Sequence, residues 1–228
     1  MSQTDGLASL NLRDHGAQRH RRAVTQDLPA LDGILAHLPP DRAGIRIAGV
    51  EELRPSLSLQ GSIGSIAARA LGPRTRAVRA ILFDKMAQTN WSLAWHQDRA
   101  ICVRRRVAVA GFGPWTVKGG MPHVAPPFDL LRRMVTLRVH LDDVPASNAP
   151  LLIAPGSHRD GYVPVTAITD VVRRRGAVAC LAEAGDVWLY ATTILHASEA
   201  ASAPMRRRVL QVDFAAEQLP GGLEWLGV

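Results

Sequence analysis

Lysine is nearly missing from this chain. Lys85 and Lys118 are the only two among 27 basic residues; the other 25 are arginine, and against 20 acidic residues the formal charge is +7 over 228 residues. Aromatic residues are also sparse, at 5%. A basic surface for single-stranded nucleic acid needs aromatic stacking platforms between its cations. Here the arginines are scattered, with triplets at 104–106, 173–175 and 206–208. The expectation is no nucleic-acid partner, and either an arginine-rich solvated surface or an anionic substrate. There are only two cysteines, Cys102 and Cys180, both in apolar runs. They read as buried free thiols of a reducing compartment rather than a bridge. Long apolar runs are absent, and the first 25 residues hold no apolar leader segment. A cytoplasmic protein with no membrane partner is expected.

The length suits one domain with a core that needs no disulfides. Residues 1–25, polar and basic, read as a mobile N-terminal arm, and residues 26–228 as a single domain. Asp27 is expected to cap a helix with Pro29 in its first turn, Leu31, Ile34, Leu35 and Leu38 on one face, and Pro39-Pro40 as its stop. A second helix is predicted over 62–71, ended by Gly72-Pro73, and a third over 165–175, ended by Gly176. Strands are predicted at 75–83, 93–96, 100–107, 134–141, 151–154, 178–182, 186–190 and 207–214. Loops rich in glycine and proline lie between them. Some eight short strands preceded by helices imply a mainly β fold, a double-sheet jelly roll with helices on one outer face.

Within that pattern, Trp95-His96-Gln97-Asp98 sets a histidine and a carboxylate two residues apart in extended chain. Both side chains then point to one face. His196 follows a later strand and offers a third ligand. Two imidazoles and one carboxylate leave three adjacent metal positions open, as non-haem iron oxygenases require. A His-x-Asp pair alone is also a common surface arrangement.

The strand after His196 adds a second signal. Leu210, Val212 and Phe214 share one apolar face, with Arg206 and Arg208 near its exposed end. Arg207 lies on the opposite face with Val209 and Gln211, looking inward. An inward arginine needs an anion: the distal carboxylate of 2-oxoglutarate, or an internal aspartate, would fit its bidentate fork. Ser198 shares the parity of His196 and could donate to the same carboxylate. In 134–142, Val135, Leu137, Val139 and Leu141 form an apolar face. Thr136, Arg138, His140 and Asp142 form a polar one that suits a lined cavity.

These residues resemble the phytanoyl-CoA dioxygenase family, which includes ectoine hydroxylase. The likeness runs from about residue 72 to 214 and rests on motifs in order. Gly72-Pro73 opens a strand that ends Leu-Phe-Asp-Lys85. Trp-His-Gln-Asp98, Ala-Pro-Gly-Ser-His158, Gly-Asp186, His196-Ala-Ser198 and Arg207 follow. The resemblance implies a double-stranded β-helix that uses iron(II), 2-oxoglutarate and O2. It implies His96, Asp98 and His196 as catalytic metal ligands, with Arg207, Ser198 and Ile81 at the 2-oxoglutarate. Arg138 stands where some members carry an aromatic residue, and touches either 2-oxoglutarate or the substrate. Family halogenases replace the carboxylate ligand, so the presence of Asp98 favours hydroxylation or a related oxidation of a small organic substrate, with decarboxylation of 2-oxoglutarate to succinate. Loop 111–127 is expected to form a lid. Trp115, Lys118 and His123 in that loop, with His140, are the candidate substrate contacts. A cupin-type metal-binding jelly roll that does not use 2-oxoglutarate is the alternative. Neither the substrate nor the oligomeric state is legible.

Overall fold

The computed structural model describes residues 10–39 and 44–228. Its largest sheet follows from alternation. Six antiparallel strands run in the spatial order Ala17–His20 (β1), Val187–Ala191 (β11), Met134–His140 (β8), Arg207–Ala215 (β13), Arg76–Lys85 (β3) and Gly44–Ile47 (β2). One face is apolar: Leu82, Val135, Leu137, Val139, Leu210, Val212 and Phe214 pack with Leu31, Leu35, Ile63, Ile66 and Ala67. Burial of each large side chain there contributes about 1.5–3 kcal/mol, so this face anchors the helices Leu28–Leu35 and Gly64–Leu71.

The helices form where the pattern places them. Leu31 and Leu35 are one turn apart, and Pro29 sits in the first turn, where no N–H is needed. Asp27 holds the N-cap position as the last residue of a short 3₁₀ turn, Thr25–Asp27, but makes no side-chain cap bond. Pro39 follows that helix, and Pro40 lies outside the described residues. Gly64 opens the second helix against the carbonyls of Leu57 and Ser58, so close that any Cβ would collide. Gly72 ends it at φ 87°.

A second sheet, Val178–Cys180 (β10), Leu151–Ile153 (β9), His196–Ser198 (β12) and Leu93–His96 (β4), faces the first. Between them Trp188 and Tyr190 share a core with Leu151, Ile153, Cys180 and Ile194. The result is the expected double-stranded β-helix with helices on one outer face. A third sheet, Ile101–Cys102 (β5), Met121–Val124 (β7) and Trp115–Lys118 (β6), packs on the ends of β3, β8 and β13 through Val78, Met134 and Ala215.

Three regions depart from the sequence reading. Residues 1–9 lie outside the described residues, but the rest of the expected arm is built into the domain. Ala17–His20 pairs with Val187–Tyr190 as an edge strand. Asp186, wholly buried, holds it: its carboxylate pairs with Arg19 and accepts from the Arg22 and Glu183 amides, each at 2.8 Å. A buried carboxylate needs such partners, which explains the Gly-Asp186 motif. The predicted strand 100–107 shortens to Ile101–Cys102, after which Val103 bridges to Trp225. Loop 111–127 contains a hairpin. Gly119 and Gly120, at φ 58° and 76°, form its two-residue turn, which requires positive φ at both positions. Among the described residues no helix is long and apolar enough to cross a membrane.

Candidate active site

β4 and β12 are neighbours, and their register sets His96 directly opposite His196, with ring centroids 4.3 Å apart. Asp98 follows β4 on the side of His96, because Gln97 is locked the other way. The Gln97 amide donates to Gly161 and Thr193 carbonyls at 2.9 and 2.8 Å, and accepts from the Val163 N–H at 3.0 Å. One potential donor atom from each of His96, Asp98 and His196 lies within 4.8 Å of the others.

The tautomers suit a metal. His96 Nδ1 lies 2.8 Å from the Ala94 carbonyl and His196 Nδ1 lies 3.0 Å from that of Ile194. A carbonyl only accepts, so each Nδ1 carries a hydrogen, which leaves Nε2 of each ring as the potential metal-binding atom. Burial drives the His196 pKa down to about 4, keeping that ring neutral. Burial opposes ionisation of Asp98, yet Arg79, followed by His196 and His96, holds its carboxyl below the ordinary range. Arg79 reaches Asp98 at 3.4 Å and Asp213 at 2.5 Å, and Thr136 donates to Asp213 at 3.0 Å. Two imidazoles and an ionised, braced carboxylate form a donor set that fits a divalent cation of the iron class.

The triad opens into a cavity of about 490 Å³, within the usual range for a small-molecule site. Strand register lays out its floor. Arg207 stands opposite Lys85, Gln211 stands between Ile81 and Arg138, and Ile81 in turn stands opposite Arg46. Arg207 is buried, and its guanidinium donates to the Ala149 carbonyl while Nε has no partner. Burial, reinforced by Arg138, brings its pKa down to about 9. Lys85 donates to the Trp91 carbonyl at 2.6 Å and to Ser198 Oγ at 3.2 Å. Burial, then Arg207 and Arg138, pushes Lys85 down to about 8. This end of the cavity is strongly cationic, lined by Arg207, Lys85 and Arg138. The parity expected of 207–214 holds: Arg206 pairs with Asp84 and Arg208 with Asp142 and Asp32, all outside the cavity.

Of the residues singled out by sequence, His96, Asp98, His196, Arg207, Ser198, Ile81, Arg138 and Lys118 line the cavity. Trp115, His123 and His140 do not. Trp115, half-buried on β6, packs against the core cluster of Ile101, Val103 and Val124. His123 is fully buried on β7, with Nδ1 2.9 Å from the Met121 carbonyl. His140 is buried with neither ring nitrogen hydrogen-bonded, and its pKa lies well below the ordinary value because of burial, then Arg138 and Arg207. The lid expectation therefore narrows to the hairpin tip at Lys118. Sequence reading assigned no role to Arg79, Lys85, Arg46, Gln97 or Arg99. Arg79 and Lys85 share the parity of Ile81 along β3, a signal that was present. Arg46 lies on a strand that was not predicted.

The sequence pattern described as phytanoyl-CoA dioxygenase matches residues 62–209. The chain belongs to this family. As a member it is an iron(II)- and 2-oxoglutarate-dependent non-haem dioxygenase, and it uses O2 as the oxidant. Comparison with curated proteins finds no match. Among solved structures, EctD from S. alaskensis with 2-oxoglutarate and 5-hydroxyectoine aligns over 100% of this chain and 80% of its own, at 18% identity and TM-score 0.65. The epimerase SnoN, in complex with Fe3+, alpha ketoglutarate and nogalamycin RO, aligns over 96% and 92%, at 17% identity and TM-score 0.62. The carbocyclase SnoK from nogalamycin biosynthesis aligns over 91% and 85%, at 20% identity and TM-score 0.60. At these identities the likeness shows the shared fold.

Proposed function

We propose that this family member hydroxylates a small, anionic organic substrate, with His96, Asp98 and His196 holding iron(II). Bound there, iron(II) supplies oxidation of a substrate C–H bond by O2, coupled to decarboxylation of 2-oxoglutarate to succinate. The protein's own groups do the rest. The two Nε2 lone pairs and the Asp98 carboxylate are the ligands, and Arg79 keeps Asp98 ionised and oriented. Arg207 and Lys85 bind the distal carboxylate of 2-oxoglutarate, Ser198 adds a hydroxyl, and Ile81 lines its path. Arg138 adds a third cation at this end. Trp115, His123 and His140 have no role in the proposal, because they lie away from the cavity surface.

One observation carries the reading: a buried arginine with no carboxylate partner among the described residues shares a cavity with the His-Asp-His cluster. A cupin-type site with no 2-oxoglutarate would have no use for that charge. The test is anaerobic titration with iron(II) and 2-oxoglutarate, followed by a metabolite screen for stimulated succinate release. Saturable 2-oxoglutarate binding that requires the metal is expected. A protein that binds iron(II) but ignores 2-oxoglutarate would refute the proposal.

A further inference from the structure

Seven cations line the cavity, Arg46, Arg79, Lys85, Arg99, Lys118, Arg138 and Arg207, against a single carboxylate, Asp98. Only Arg79 is in an ion pair, so the protein itself leaves the other six charges uncompensated among the described residues. Lys85, Arg138 and Arg207 face one another at one end, where the distal carboxylate of 2-oxoglutarate belongs. Its other carboxylate belongs with its keto group at the metal. Both anionic ends of the cosubstrate are then used.

Arg46 and Lys118 are left over, and they sit elsewhere. Counting across the register, Arg46 on β2 is three strand positions from Arg138, roughly 14 Å at the usual strand spacing. Arg46 Nε is buried and has no hydrogen-bond partner, and burial, then Arg79, lowers its pKa. The turn of the β6–β7 hairpin lies directly over it: a Cβ on Gly119 would stand 3.6 Å from Arg46 Cδ. Lys118, at the exposed end of β6, lines the same rim. Arg99 is already occupied by Tyr162, whose hydroxyl accepts at 2.7 Å. A buried donor left unpaired is costly, and a guanidinium and an ammonium at one rim form a ready cradle for oxyanions.

We propose that Arg46 and Lys118 form a second anion subsite at the cavity mouth, and that it binds a carboxylate or phosphate group of the substrate. This deepens the oxygenase reading and rests on it. The hairpin that carries Lys118 then acts as a specificity element.

The test loads the full-length protein anaerobically with manganese(II) and 2-oxoglutarate. It then titrates in low salt, by calorimetry, with inorganic phosphate in one arm and propionate in the other. Arg46→Gln and Lys118→Gln should each weaken the tighter anion about tenfold or more. Their 2-oxoglutarate affinity should stay within about twofold of wild type. Arg46→Lys, which keeps the charge, should bind more tightly than Arg46→Gln. The arm that binds more tightly identifies the group. If neither anion binds the loaded wild-type protein, or both variants bind as wild type does, the subsite is refuted. A wild-type protein that fails to take up 2-oxoglutarate fails at the loading step. That result overturns the oxygenase reading, and the subsite with it.

Discussion

Arg79 and Arg207 both line the cavity from the paired strands β3 and β13; Arg207 is buried, and the Arg79 side chain is 12% exposed. Their surroundings are opposite. Arg79 lies between Asp98 and Asp213, and although burial disfavours its charge, the two carboxylates raise its pKa above the ordinary value. Arg207 meets a carbonyl, Lys85 and Arg138, and burial, then Arg138, brings its pKa down to about 9. The first arginine completes a network that orients Asp98. The second holds a charge that the protein does not neutralise, as the proposed binding of 2-oxoglutarate requires, at a cost to the fold. Burial alone therefore does not distinguish a structural cation from a functional one; its partners do.

The largest effect is expected at Asp98. Asp98→Ala removes the carboxylate of the proposed ligand set and leaves Arg79 paired with Asp213 alone, so succinate release should fall to background. Wild-type turnover in that variant would exclude the cluster as the metal centre. Arg79→Met comes next. It strands Asp98 and Asp213, and denaturant unfolding should show a loss of about 3–5 kcal/mol. Metal affinity should drop about 10- to 100-fold as the ligand loses its brace.

Arg207→Met should break the symmetry between the two arginines. A charge-assisted contact is worth about 1.5–3 kcal/mol, so 2-oxoglutarate should bind about ten- to a hundredfold more weakly. The same variant should unfold at an unchanged or higher denaturant concentration, because it removes an uncompensated buried charge. If Arg207→Met destabilises the fold as much as Arg79→Met, the contrast is wrong.

A pH series sharpens it. Lys85 titrates near 8 in the folded protein against 10.5 as the ordinary value. Between these values the unfolded chain binds more protons than the folded one, so stability rises with pH across that window. On the proposed role of Lys85, 2-oxoglutarate binding needs the ammonium, so affinity should fall over the same rise. Lys85→Met should remove the part of both slopes that begins near 8. The smallest effect is expected at Arg206, whose half-exposed side chain pairs with Asp84 away from the cavity. Arg206→Ala should change 2-oxoglutarate affinity less than about twofold, since exposed pairs contribute little. Equal losses at 206 and 207 would mean that general electrostatics, rather than strand parity, governs binding.

Much of this contrast was readable before any coordinates. Parity along 207–214 separated Arg207 from its neighbours, and parity along 134–140 separated Arg138 from Val135, Leu137 and Val139. The His-x-Asp pair needed only an extended chain. The hairpin over 115–124 was legible in principle from Gly119-Gly120 but was masked by the prolines and glycines around it. The strand at 17–20 was missed because its apolar content is low: it is held by Asp186, 166 residues after His20, through a buried ion pair that no local pattern announces.

What the sequence determined alone is what repeats along one strand: which side chains share a face, where glycine or proline stops a helix, and which residue types can bind a metal. Strand alternation is a local steric property, so it survives without knowledge of neighbours. The tertiary structure alone decided which cations are neutralised. Whether Arg79 finds Asp213, whether Arg207 finds only a carbonyl, and whether Arg46 shares a rim with Lys118 all depend on strands far apart in the chain. A charge's environment is set by everything within a few ångströms of it in space, and chain order does not encode that distance.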